Sequence, residues 1–231
     1  MAIKLAKPRL SQLLTTLLVL ALFGPAVSEL RYGDGVILAF AILVLAGGVH
    51  AIGSNDRRRR LAMVLAVPPG ALALLSVFIH ARSLIVLEHI TMIVFLALVV
   101  KVLIDHTMSQ REVSADLIRA GLAVYLLVGL LFADVYALFD LLRPGSFDMG
   151  HVVMATNVPH RYARVYATRF IYYSLVTLTT LGFGDITPVS TLARSFSAVE
   201  AVVGPVFLAV FIGQLVGVRV AQATTPTRGE D

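Results

Sequence analysis

Thr177-Leu178-Thr179-Thr180-Leu181-Gly182-Phe183-Gly184-Asp185-Ile186-Thr187-Pro188 sets two glycines one residue apart, with threonines ahead of them and a carboxylate directly behind. Successive backbone carbonyls can be turned to one side only if the chain alternates between conformations, some at positive φ. Gly182 and Gly184 reach such angles cheaply, whereas a residue with a Cβ does not. A column of carbonyl oxygens can replace the water around a dehydrated cation, because the oxygens are neutral and closely spaced. On this reading Thr180, Leu181, Gly182, Phe183 and Gly184 form an ion-binding column. Thr180 adds a hydroxyl at the inner end, while Gly184 and Asp185 shape the outer mouth.

The rest of the chain supplies a matching context. Of 231 residues 58% are apolar and 14% charged, with a mean hydropathy of +0.87. That composition is an integral membrane protein's. Without cysteine there is no disulfide framework and no thiolate metal site. Six stretches approach the roughly 20 apolar residues a spanning helix needs: 10–27, 36–53, 61–79, 84–104, 117–138 and 193–218. A shorter apolar segment, 168–179, is too short to span and has the length of a re-entrant helix buried in protein. Between it and the fifth span, 143–169 is polar, holds Pro144-Gly145, Asn157 and Pro159, and reads as an external loop.

Charge placement sets the orientation. With the N-terminus inside, twelve of the nineteen Lys and Arg face the cytoplasm, Arg57-Arg58-Arg59-Arg60 foremost. Five of the other seven (Arg143, Arg161, Arg164, Arg169 and Arg194) surround the short segment. Both termini are then cytoplasmic in a multi-pass protein of the cell membrane. Lys4, Lys7 and Arg9, an apolar run and Ala26-Val27-Ser28 also fit a cleavable leader, which leaves the later topology unchanged. The basic balance points to membrane topology rather than nucleic acid, since the charges lie between apolar spans.

From Leu117 to Val220, and best over Phe170–Val216, the sequence resembles the pore unit of potassium channels, in which a threonine-rich helix end runs into T-[VIL]-G-[YF]-G-D. The resemblance implies an all-α membrane protein with six transmembrane helices, a re-entrant pore helix and a selectivity filter. It also implies a homotetramer, because one chain brings one pore loop. Residues 1–112 would form a four-helix membrane domain, 113–220 the pore domain and 221–231 a short cytoplasmic tail. Potassium would be the permeant ion and the only metal, held at the filter, with no cofactor and no soluble ligand-binding domain. No nucleophile–base pair is apparent, so the chain does not read as an enzyme.

Further roles follow from the same resemblance. Tyr172 and Tyr173 fall where such channels place aromatic rings that brace the filter, and lipid-interface tyrosines are the alternative. The end of the pore helix, Thr177 to Thr179, aims its negative dipole end at a central cavity. Phe183 replaces the commoner tyrosine, and Val176 stands where some relatives carry a glutamate that binds the filter aspartate. Asp185 therefore needs another partner, for which Tyr173 is a candidate. Glu200 lies inside the last span and is expected to bond the pore helix, for instance at Thr177, as an acid or an anion. Gly204 stands nineteen residues after Asp185, at the spacing of a glycine hinge, and Pro205 removes a backbone donor beside it. Leu208, Ile212 and Val216 share a face with Pro205 that would line the inner cavity and its gate, or else lipid.

The front helices differ from those of a voltage sensor, where Arg or Lys recurs every third residue. The fourth span has only Arg82 and Lys101 at its ends, with Glu88 and His89 between. His50, Glu88 and His89 read as packing residues. Pro68-Pro69-Gly70 is expected to kink the third span. A poorly selective cation channel, a transporter with Glu88 and Glu200 as intramembrane acids, and a non-conducting channel subunit are the rival readings. Transporters related to these pores carry four pore loops in one chain, and this chain has one.

Overall fold

The computed structural model describes residues 7–28, 33–52, 56–79, 81–149 and 163–224. Four helices come first: α1 (Lys7–Ser28), α2 (Gly33–Ala51), α3 (Asp56–Phe78) and α4 (Arg82–Ser109). Then come α5 (Ala115–Leu142), a two-residue strand β1 (Phe147–Asp148), α6 (Ala163–Leu178), a second strand β2 (Thr187–Pro188) and α7 (Thr191–Thr224). Among the described residues, Arg57–Phe78, Arg82–Ser109, Ala115–Leu142 and Thr191–Ala223 are long and apolar enough to cross a membrane. Leu10–Gly24 and Gly35–Ala51 are shorter apolar helices. With these apolar helices the protein is an all-α membrane protein in outline. The expected tail residues 225–231 and the loop residues Asn157, Pro159 and Arg161 lie outside the described residues.

Helix periodicity explains what packs where. Leu10, Leu13, Leu17 and Leu20 recur at three- and four-residue steps on α1, and all four are buried. They share one core with Phe95, Leu96, Val99 and Leu103 of α4 and with Ala120, Val124 and Leu127 of α5. The first helices and α5 thus have a common interior. The α4–α5 connection is short. Ser114 caps α5, its Oγ accepting from the Leu117 amide at 3.2 Å, so the two helices return antiparallel and side by side. At the far end Arg82 donates to the carbonyls of Leu141 and Leu142 at 2.5 and 3.3 Å, covering the end of α5.

The proline pair lies inside α3, which runs through Pro68 and Pro69 from Asp56 to Phe78. One feature departs from expectation. The all-α reading missed a small antiparallel pair, Phe147 opposite Pro188 and Asp148 opposite Thr187. Around it Val189 and Ser190 donate their amides to the Ser146 carbonyl at 2.8 and 3.1 Å. Buried Asp140 accepts the Ser146 amide at 3.0 Å. The chain that follows α5 is therefore stapled to the chain leaving the Gly182–Asp185 stretch.

Beneath this staple lies an aromatic cluster. Tyr136, Phe147, Phe170 and Tyr173 meet edge to face with ring centroids 5.0–5.4 Å apart, the preferred geometry of such quadrupoles. The long helix α7 is different. Val199, Val202, Val206, Val210, Ile212 and Val216 are all exposed in the single chain, a surface suited to hydrocarbon or to other protein rather than water.

Candidate ion-conduction site

The site begins where α6 ends. A helix leaves its last four carbonyls without intrahelical partners, and here each is used. The Leu175 carbonyl accepts from the Thr179 amide at 3.1 Å and from the Thr179 hydroxyl at 2.7 Å. Val176 receives the amides of Leu181 and Gly182 at 2.9 and 3.3 Å, and Thr177 that of Thr180 at 2.9 Å. The Leu178 carbonyl takes the Tyr125 hydroxyl of α5 at 3.1 Å. The chain that leaves the helix is thereby folded tightly back over its end.

Beyond this turn the backbone alternates. Thr180, Gly182 and Gly184 have φ of 59°, 58° and 79°, while Leu181 and Phe183 between them are not at positive φ. Thr180 is the only non-glycine residue at positive φ among the described residues, a conformation that costs a β-branched side chain about 1–3 kcal/mol. Such strain persists where the surroundings hold it, and the amide bonds to Val176 and Thr177 do so. Nothing lies within 4 Å of a Cβ built on Gly182 or Gly184. The demand for glycine there comes from the backbone angle, not from lack of room. Thr179 through Asp185 are exposed in the single chain, Leu181 at 58% and Phe183 at 65%.

The supporting residues assort differently from expectation. The hydroxyl that faces the Asp185 carboxylate belongs to Tyr172. Tyr173 turns the other way, its hydroxyl 2.6 Å from Ser197 Oγ on α7. These neighbours sit about 100° apart on the helix, so their hydroxyls reach different partners. Glu200, fully buried, bonds α6 one turn earlier than Thr177, at Ser174. Its other oxygen accepts the Tyr136 hydroxyl of α5 at 2.6 Å. Ser174 also donates to the Gly129 carbonyl at 2.6 Å. Three helices thus meet at one carboxyl behind the alternating stretch.

Sequence reading had not found Tyr125, Tyr136, Ser174 or Ser197. The signal was there in part. A hydroxyl inside an apolar span must find a partner, and Glu200, alone among carboxylates on α7, needed donors from neighbouring helices.

On α7 the kink residues have a packing context. Gly204 is buried against the carbonyl of Leu178, and Pro205 lies inside a helix continuous from Thr191 to Thr224. Leu208, Ile212 and Val216 are exposed in the single chain. In the front half Glu88 accepts from Ser76 of α3 at 2.9 Å, and His89 pairs with Asp134 of α5 at 2.8 Å. His50 is exposed. No group of His, Asp and Glu arranged to hold a metal occurs among the described residues.

Residues 148–219 match a family model described as an ion channel. The match runs from β1 through α6, the alternating stretch and most of α7, so this part of the chain is similar to an ion channel domain, a likeness that supports passive ion conduction. No curated protein and no solved structure matches the chain.

Proposed function

We propose that the protein is a potassium-selective channel that conducts K⁺ passively across the cytoplasmic membrane as a homotetramer. The observation that carries this reading is the alternation at Thr180, Gly182 and Gly184. Such a backbone turns the carbonyls of Thr180 through Gly184 toward a common side, and four copies around an axis make rings of them. The exposed filter residues and the exposed apolar length of α7 support assembly, since both gain neighbours only from other chains or lipid. In this reading six helices span the bilayer, both termini are cytoplasmic, and α6 is the re-entrant pore helix. Leu208, Ile212 and Val216 line the inner cavity below a bend at Gly204 and Pro205. K⁺ is the permeant ion, with no resident cofactor.

Phe183 favours one alternative, a poorly selective monovalent cation channel, because its ring has no hydroxyl with which to anchor the filter to α6. Ion flux from proteoliposomes separates the two. The potassium reading expects K⁺ efflux, blocked by Ba²⁺, with Na⁺ retained. Equal flux of both ions supports the alternative, and the absence of any K⁺ or Na⁺ flux contradicts both.

A further inference from the structure

Ser174 stands between two oxygens and has one hydrogen to give. Its Oγ lies 2.6 Å from the Gly129 carbonyl oxygen and in hydrogen-bond contact with Oε1 of Glu200. A carbonyl only accepts, so the contact with Gly129 uses the serine's hydrogen. The contact with Glu200 then needs a hydrogen from the carboxyl itself. Oε2 of the same carboxyl already accepts the Tyr136 hydroxyl. The neighbouring pair obeys the same count. Ser197 gives its hydrogen to the Ala193 carbonyl at 2.8 Å, so Tyr173 must donate across the 2.6 Å to Ser197.

We propose that Glu200 is a neutral carboxylic acid in the folded protein and that its proton ties α7 to the pore helix. The relay runs from the Tyr136 hydroxyl to Oε2, from the Glu200 hydroxyl to Ser174 Oγ, and from the Ser174 hydroxyl to the Gly129 carbonyl. Each of the three contacts then holds one hydrogen. With an ionised Glu200 only two hydrogens are shared among the three contacts, and one pair of acceptor oxygens faces each other bare. The surroundings agree. Glu200 is fully buried, and among the described residues no cation pairs with it. The titratable groups facing it are the phenols of Tyr136 and, further off, Tyr125 from α5 and Tyr173 from α6. An isolated buried carboxylate is far more costly than the neutral acid, and a hydrogen-bonded acid leaves no charge in the apolar layer. The conduction readout below rests on the channel reading; the spectroscopic one does not.

The test is an infrared difference spectrum between the parent protein and Glu200→Gln, in H₂O and D₂O at neutral pH. The expected result is a protonated carboxyl C=O band that shifts on deuteration and is lost in E200Q. The amide of E200Q can donate to Ser174 and accept from Tyr136, so this variant should keep assembly and ion flux, while Glu200→Ala should lose flux. Carboxylate stretches that vanish in E200Q would overturn the proposal, and so would an E200Q protein that loses flux as fully as E200A. Because the infrared band reads the proton directly, a parent protein showing the band but no flux would contradict the channel reading and leave the neutral acid established.

Discussion

The carbonyl oxygen of Leu178, in the last residue of α6, lies so close to Gly204 of α7 that a Cβ on the glycine would land on it. The same oxygen accepts the Tyr125 hydroxyl at 3.1 Å. The end of α6 is thus held from α5 by a hydrogen bond and from α7 by direct backbone approach. A bend at Gly204 that moved α7 away from α6 would have to open this contact.

Replacing Gly204 by alanine must push apart two backbones, neither of which yields as a flexible side chain does. We expect a loss of stability of about 1–3 kcal/mol, read by denaturation in detergent micelles. A Gly204→Ala protein as stable as the parent would show that α7 and α6 do not approach so closely.

Tyr125→Phe keeps the ring, which packs against Phe207 at a centroid distance of 6.1 Å, and removes only the hydroxyl. The Leu178 carbonyl then loses its partner from α5, at a cost of about 1–3 kcal/mol for a buried unsatisfied group. The same denaturation measurement checks this, and an unchanged midpoint would mean that the carbonyl is satisfied by other means.

What the sequence revealed and what it hid divide along physical lines. The alternating stretch was legible because its angles are a local demand, met by Gly182 and Gly184 wherever they occur. Only Thr180, also at positive φ, escaped notice. Partner choice was not legible, because it depends on the rotational phase of three packed helices. Ser174 and Thr177 lie on one face a turn apart, so a small axial shift of α7 decides which of them meets Glu200. Tyr172 and Tyr173 differ by one residue, and the helix phase alone assigns Asp185 to the first. The strands β1 and β2, two residues each, carry no periodic signal.

His89 and Asp134 form the polar tie between α4 and the middle of α5, with 14% and 16% of their side chains exposed. A double-mutant cycle with His89→Ala and Asp134→Ala should return a coupling of about 0.5–3 kcal/mol in stability. Additive effects within error would show that the pair acts as two independent polar residues.

Gly182→Ala meets no steric obstacle, since open space surrounds the position. The left-handed angle of 58° is the obstacle, and it costs an L-residue about 1–2 kcal/mol in each chain. The variant should fold and yet fail to pass K⁺. A conducting Gly182→Ala protein would mean that this backbone angle is not needed for permeation.

The reversal potential of the purified protein in planar bilayers, under opposed K⁺ and Na⁺ gradients, tests the central claim most directly. A selective tetrameric filter built on Thr180 through Gly184 predicts reversal close to the K⁺ equilibrium potential, with current blocked by Ba²⁺. Reversal near zero would contradict potassium selectivity and show that the carbonyl column with Phe183 admits both ions alike.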